Sequence, residues 1–201
     1  MKVIGITGPT GAGKTTALGA LLSLGGCVID ADAVYHDLTV SCAPMREELC
    51  ARFGEIYRDG VLDRKKLGAI VFQDDKALRD LNEITHKFVV AETNRRIEEA
   101  RGEGRLAAAV DAIALFESGL DRICDVLVAV TAPEELRVKR IMAREGISEE
   151  YARMRVSAQH SSAWFKERCG CVLESTEEDT PERFAARARA LFEEILEEKK
   201  P

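Results

Sequence analysis

Two rhythms of apolar and polar positions alternate along the chain. Lys2–Thr7, KVIGIT, is a short β-branched run that predicts a buried strand. From Lys14 to Leu24 the apolar positions Ala17, Leu18, Leu21, Leu22 and Leu24 take up helical spacing, and Gly25-Gly26 stops it. CVIDAD follows as a second strand with Asp30 and Asp32 at its end. Strand, glycine loop, helix, strand is the start of an α/β fold with a parallel sheet.

The middle of the chain reads differently. Between about Ala33 and Arg105 the pattern is helical with little strand signal. Ala77, Leu81, Ile84, Phe88 and Ala91 step by four and three, which places them on one helix face. Gly102-Glu103-Gly104 ends that stretch. LAAAVDA (Leu106–Ala112) and DVLVAV (Asp125–Val130) then predict further core strands, and CVLES (Cys171–Ser175) a weaker fifth. Thr180-Pro181 supplies an N-cap and a first-turn proline for a final amphipathic helix, whose Glu/Lys-rich end reads as solvated. There are no repeats and no low-complexity segments.

Composition narrows the class. A chain of 201 residues fits one domain, or one core with an inserted module. At this size roughly 70% of the unfolded surface is buried, enough for a proper core. The net charge of −6 gives no global footprint for nucleic acid or an anionic membrane. No apolar run nears the ~20 residues of a spanning helix, and MKVIGIT lacks the apolar stretch of a signal peptide. The six cysteines form no CxxC pair, so they read as free thiols in a reduced, cytoplasmic protein. Cys169 and Cys171 have only His160 nearby, which argues against zinc.

The chemistry starts at GPTGAGKTT, Gly8 to Thr16. It fits GxxxxGK[ST], with a strand before it and a helix after it, as a phosphate loop requires. Such a match arises by chance in under about 1% of chains this long. Glycines let backbone N–H groups turn toward phosphate oxygens, and the helix N-terminus adds a favourable dipole. Gly11, Ala12, Gly13, Lys14, Thr15 and Thr16 are the candidate nucleotide contacts. Lys14 suits the β- and γ-phosphates, and the Thr15 hydroxyl suits Mg²⁺ carried by the nucleotide. The bland alternative is a glycine turn that caps a helix.

Two further groups of residues bear on the reaction. Asp30, Asp32 and Asp111 stand at strand ends, where ligands of doubly wound sheets bind. A carboxylate there can orient Mg²⁺, accept a proton from an attacking hydroxyl, or only cap the next helix. Arg137, Arg140 and Arg144 step by three and four along one predicted helix face. Arginine suits bidentate phosphate contact, although a solvated ion-pair helix would look the same. Gly146 beyond them suits the hinge of a lid that excludes water. The Asn-Lys-x-Asp of a switch GTPase is absent from the sequence.

These residues carry a family likeness that covers nearly the whole chain in order. The sequence resembles the dephospho-coenzyme A kinases, a family of small-molecule kinases. GITGPTGAGKTT resembles the family's phosphate loop, and GGCVIDAD its strand ending in Asp-x-Asp. DGVLDRKKLGAIVF (Asp59–Phe72) is the most specific match. ITHKF resembles the family's Leu-His-Pro stretch, VDAIALFESGL its Pro-Leu-Leu-Phe-Glu segment, and RVKRIMAREGIS with ARMRVSAQ its lid. Lys87 and Ile113 stand where the family usually has proline, and CVLESTEED lacks its Asn-x-Gly-type turn.

The resemblance implies an α/β fold: a P-loop NTPase core with a five-stranded parallel sheet flanked by helices, plus a helical acceptor-binding module and a lid. The core would take residues 1–32, 106–133 and 166–201, the acceptor module 33–105 and the lid 134–165. The implied reaction moves the γ-phosphate of ATP, with Mg²⁺, to the ribose 3′-hydroxyl of dephospho-CoA. Lys14 and Thr15 would serve ATP and Mg²⁺. Asp32 would be the base, and Arg140 with Arg144 the phosphate clamp. His86 and Glu117 would lie on the acceptor side. The expected partners are ATP and dephospho-CoA, without nucleic acid or membrane, in a monomer or weak homo-oligomer. The alternatives are a kinase for a nucleotide or nucleoside acceptor, and a P-loop regulatory protein that binds without transfer.

Overall fold

The structure is a computed structural model, and it describes residues 1–197. At its centre five parallel strands form one sheet: β1 (Lys2–Thr7), β2 (Cys27–Asp30), β5 (Ala107–Asp111), β6 (Val126–Thr131) and β7 (Cys171–Glu174), in the order β2-β5-β1-β6-β7. All five strands expected from the sequence are present. They were legible because both faces are covered, so the strands read as near-continuous apolar runs.

The pleat sends alternate residues to opposite sides. Val3, Ala108 and Val110 join Ile29 in a core with the central helical region. Ile4, Ile6, Ala107 and Ala109 join a second core with the helices on the other face. That other face is covered by α1 (Lys14–Ser23) and α9 (Pro181–Glu197). Phe192 is fully buried between them and the sheet. The Thr180 hydroxyl accepts the Arg183 N–H at 3.2 Å, so the predicted cap of α9 is in place. The Glu/Lys-rich end beyond Glu197 lies outside the described residues.

Between β2 and β5 come α2 (Ala31–Ser41), α3 (Ala43–Phe53), α4 (Arg64–Val71) and the 28-residue α5 (Asp75–Gly102). Two corrections to the sequence reading fall here. A two-stranded hairpin, β3 (Tyr57–Arg58) with β4 (Val61–Leu62), interrupts the helical region. Its turn residues Asp59 and Gly60 both have positive φ, 51° and 81°, as a tight mirror-image hairpin turn demands. The buried stripe of α5 is also rotated from the predicted one. Ala91 is exposed, and Thr85, Val89, Thr93, Ile97 and Ala100 are buried instead.

A third correction concerns the acids of CVIDAD. The strand stops at Asp30, whose carboxylate accepts the N–H groups of Asp32 and Ala33 at 2.9 and 3.0 Å. Asp30 is therefore the N-cap of α2, and Asp32 lies in its first turn.

After β6, α6 (Glu134–Glu145) and α7 (Glu149–Ser157) form a helical hairpin joined through Gly146, which takes the left-handed conformation at φ 66°. A short α8 (Ser162–Arg168) leads to β7. The six cysteines are free thiols. Burial pushes Cys124 up to about 12 and Cys169 up to about 11, so both are protonated at neutral pH.

Candidate functional site

The phosphate loop leaves β1 and enters α1 at the carboxyl edge of the sheet. Its first glycine is fixed by sterics. A Cβ on Gly8 would sit 1.9 Å from the Val130 carbonyl oxygen. Gly13 is the N-cap of α1 with φ 106°, a conformation that side chains rarely adopt. The loop thus presents backbone amides and the start of a helix to one open cleft. That cleft encloses about 810 Å³ and is lined by Gly11, Ala12, Gly13, Lys14, Thr15, Arg140, Arg144 and Arg155. Thr16 faces a neighbouring cleft with Thr176, Asp179 and Phe184.

Lys14 Nζ lies 2.9 Å from Asp111 Oδ1. Asp111 pairs in register with Asp30 on the adjoining strand. Lys14 and three carboxylates, Asp30, Asp32 and Asp111, therefore meet at one sheet edge. Burial pushes the Asp32 carboxyl above its usual range, and the charges of Asp30 and Asp111 push the same way, against Lys14. A raised carboxyl is a better proton acceptor.

Asp32 also faces away from the loop. It lines a second cleft of about 730 Å³ with Tyr35, Leu81, Thr85, His86 and Ala114. Burial holds the His86 imidazole below its ordinary value, opposed by the charge and backbone of Glu117. Glu117 itself lines an adjacent cleft and accepts from His160 Nε2 at 3.1 Å. His160 stacks flat on Trp164, with ring centroids 3.9 Å apart, and the Arg168 guanidinium lies 4.1 Å from the indole centroid. Asp32 and His86 thus share one cleft, whereas Glu117 sits beside it.

The arginine face of α6 points at the phosphate loop, and its three members differ. Arg137 is 3% exposed and donates from Nε to the Thr10 carbonyl at 2.9 Å. Arg140 donates to the Gly11 carbonyl at 3.2 Å and to Ser175 Oγ at 2.8 Å. Arg144 lines the phosphate cleft and pairs with Glu145 at 2.6 Å. Glu145 also holds Arg155 from α7.

Sequence reasoning gave no individual role to Arg155, Gln159 or Ser175, although ARMRVSAQ, which holds the first two, resembles the family's lid. Gln159 binds Thr10 from beyond the end of α7, and Ser175 orients Arg140. These are long-range contacts for which no local motif exists. The two departures from proline also have places. Lys87 pairs with Glu48, and Ile113 lines the phosphate cleft. In CVLESTEED, Asp179 accepts the Thr176 N–H at 2.8 Å, which closes a turn of its own.

Comparison with known proteins shows the family. The sequence model of the dephospho-CoA kinase family matches residues 2–179. A dephospho-CoA kinase of Symbiobacterium thermophilum is 42% identical over 163 residues, 80% of this chain and 68% of that protein. One from Corynebacterium efficiens is 36% identical over 198 residues, 98% of each chain. Among solved structures, a Thermus thermophilus protein matches with a TM-score of 0.76 at 31% identity, over 96% of this chain and 97% of that one. The dephospho-CoA kinase from Campylobacter jejuni matches with a TM-score of 0.69 at 25% identity, over 96% of both chains. A shikimate kinase from Acinetobacter baumannii, at 17% identity and a TM-score of 0.53, shares the fold alone. A phosphate loop facing an acid that also lines a second cleft, in a sequence matched almost end to end, places this chain in the dephospho-CoA kinase family.

Proposed function

We propose that the chain transfers the γ-phosphoryl group of ATP to the ribose 3′-hydroxyl of dephospho-CoA, giving CoA and ADP in the last step of coenzyme A biosynthesis. The observation that carries this reading is the double position of Asp32. It sits among the charges around Lys14 and lines the cleft under α5. A group so placed touches both the donor phosphates and the acceptor hydroxyl.

In this reading the acceptor oxygen attacks the γ-phosphorus while its proton passes to the Asp32 carboxylate. The bond from the γ-phosphorus to the bridging oxygen breaks, and ADP leaves with that electron pair. Lys14 exchanges Asp111 for the β- and γ-phosphates. The loop amides hold the remaining oxygens, so developing charge meets fixed donors rather than mobile water. Arg140 is already oriented by the Gly11 carbonyl and Ser175, and reaches the phosphates with little loss of side-chain freedom. Arg144 and Arg155, which line the same cleft, complete the clamp.

The donor set beside the loop fits Mg²⁺. Thr15 offers a hydroxyl and Asp111 a carboxylate, both hard oxygen ligands, which leaves the Asp32 carboxylate to take the proton. Among the described residues no cluster of three or more His, Cys, Asp or Glu forms a closed metal cage. That suits an ion held largely by phosphate oxygens. Bound there, Mg²⁺ would neutralise phosphate charge. The nucleobase end fits the neighbouring cleft at Thr16, Thr176, Asp179 and Phe184. The 33–105 region is read as the acceptor module, and His86 as a neutral acceptor-side group. No described helix is long and apolar enough to cross a membrane. We read the enzyme as cytoplasmic, alongside its small-molecule substrates.

The test is ADP release with three acceptor conditions: dephospho-CoA, nucleoside monophosphates, and none. Release with dephospho-CoA alone supports the reading. Release without acceptor points to an ATPase, and release only with monophosphates sinks the coenzyme assignment.

A further inference from the structure

Arg140 is held at two points, and only one of them belongs to the phosphate loop. Its Nη1 donates to the Gly11 carbonyl at 3.2 Å, and its Nη2 donates to Ser175 Oγ at 2.8 Å. Ser175 is buried, and its own N–H donates to the Thr131 carbonyl at 2.8 Å. It is the first residue after β7, in the segment that leads to α9. This is also the segment that lacks the family's Asn-x-Gly-type turn.

One guanidinium on α9 binds both ends of that segment. Arg187 Nη2 donates to the Glu174 carbonyl at 3.0 Å, and its Nη1 donates to Asp179 Oδ2 at 2.8 Å. The same Asp179 oxygen accepts the Thr176 N–H at 2.8 Å and the Thr176 hydroxyl at 3.3 Å. The Asp179 side chain is 3% exposed, so water hardly competes for these bonds. Ser175 therefore lies between the two points that Arg187 ties together. Thr176, Asp179 and Arg140 share the wall of one cleft, and Arg187 stands behind that wall.

We propose that Arg187 is a positioning residue for Arg140, acting through the Glu174–Asp179 turn that carries Ser175. The inference rests on the phosphoryl-transfer reading above and adds a residue that touches neither substrate. The Ser175 hydroxyl is placed by the backbone around it, and Arg187 fixes that backbone from both sides. With the turn loose, Arg140 keeps the Gly11 carbonyl and loses its second fixed partner. A guanidinium held at one point swings, and a donor that must be oriented during transfer slows it. Position 187 calls for arginine because two acceptors are bound by one planar fork, which a lysine ammonium does not reproduce. A competing path also leaves Arg187. It lies 6.0 Å from the Phe184 ring centroid, and Phe184 packs on Gly13 of the phosphate loop.

A double-mutant cycle on the full chain separates the two paths. Wild type, Arg140→Ala, Arg187→Ala and the double variant are compared in kcat, in the KM for each substrate and in the Kd for adenylyl imidodiphosphate with Mg²⁺. Arg187→Lys is measured in both backgrounds, and thermal unfolding is recorded for all. Arg187→Ala is expected to lower kcat about tenfold. The KM for dephospho-CoA should stay within twofold, and the loss in kcat should vanish once Arg140 is alanine. Arg187→Lys keeps the charge without the fork and should remain below wild type, again only while Arg140 is present. A loss retained in the Arg140→Ala background would route the effect through Phe184 or the general fold and overturn the assignment. An unaltered Arg187→Ala enzyme or a fully active Arg187→Lys would overturn it too. If Arg187→Ala fails to fold, the Arg187→Lys cycle decides. Wild type inert toward dephospho-CoA would overturn the activity reading instead. The Kd cycle then tests the positioning role alone: affinity should fall about threefold in Arg187→Ala, and not at all beside Arg140→Ala.

Discussion

Gln159 grips Thr10 on two atoms at once. Its Oε1 accepts the Thr10 backbone N–H at 3.0 Å, and its Nε2 donates to Thr10 Oγ1 at 2.9 Å. Arg137 completes the hold, donating to the Thr10 carbonyl at 2.9 Å and to Gln159 Oε1 at 3.2 Å. The phosphate loop is therefore pinned from a point 149 residues away. Gln159→Ala is expected to raise the KM for ATP about tenfold, from the loss of one or two net hydrogen bonds at about 1 kcal/mol each. The KM for dephospho-CoA should hardly move. Gln159→Glu keeps an acceptor for the Thr10 N–H but loses the donor and adds charge near the phosphates, so its loss should be larger. Equal effects on both KM values would show general damage rather than loop positioning.

Asp32 has opposite consequences for activity and stability. As the base it must be ionised, so kcat/KM should fall as pH drops through its raised pKa, above the ordinary carboxylate range. Asp32→Asn should lose about 10²- to 10⁴-fold in turnover while sparing ATP binding. Near-normal turnover in that variant would exclude the role. Stability runs the other way. A folded pKa above the unfolded one means that the folded state binds the proton more tightly. The stabilising contribution of protonated Asp32 is present below the unfolded value and is lost as pH rises through the folded one. At neutral pH, Asp32→Asn should therefore melt at or above the wild-type temperature, and the difference should vanish in acid.

Lys14 is held before any nucleotide arrives. Its Asp111 partner keeps the ammonium at the mouth of the loop. Lys14→Ala removes that charge from beside three carboxylates and from the transferring phosphate. Turnover should drop by about 10³ or more. A second check is the acid limb of Asp32, which should move further up because the one cation lowering it is gone.

Glu145 occupies two arginines that line the phosphate-loop cleft, Arg144 and Arg155. Exposed ion pairs of this kind are weak and are screened by salt. Glu145→Gln should release both guanidinium groups and lower the KM for ATP by about two- to fivefold, most clearly at low ionic strength. Arg144→Ala should raise it by a similar factor. If Glu145→Gln raised the KM, the pairing would be preparing the arginines rather than competing for them.

The sequence exposed whatever is encoded locally. The phosphate loop, the five strands and the cap at Thr180 each lie within a few adjacent residues. The misreadings have specific causes. Thr85 buries its hydroxyl by donating to the Leu81 carbonyl at 2.8 Å, so a polar residue occupies the apolar stripe and hides its true line. The hairpin strands are two residues long, too short to show a period, although Asp59-Gly60 carried the turn signal. CVIDAD read as one strand because Asp30 and Asp32 are equally good caps, and only the fold shows that Asp30 takes the role. Gln159 and Ser175 were invisible for a different reason. Their partners, Thr10 and Arg140, are 149 and 35 residues distant, and only the folded sheet brings them together.

The stack of His160 on Trp164 has an optical consequence. Trp164 is the chain's single tryptophan. It is in contact with an imidazole whose other end holds Glu117, one residue after the glutamine that pins Thr10. A ring stacked face to face on an indole alters its emission. A ligand that draws Glu117 away, or a lid movement that lifts residue 160, therefore changes the fluorescence of one identifiable ring. Titration with dephospho-CoA should give a saturable emission change that His160→Leu abolishes while leaving turnover measurable. The molecule thus carries a label-free reporter at the boundary between its two substrates, and opening and closing can be timed there by stopped flow.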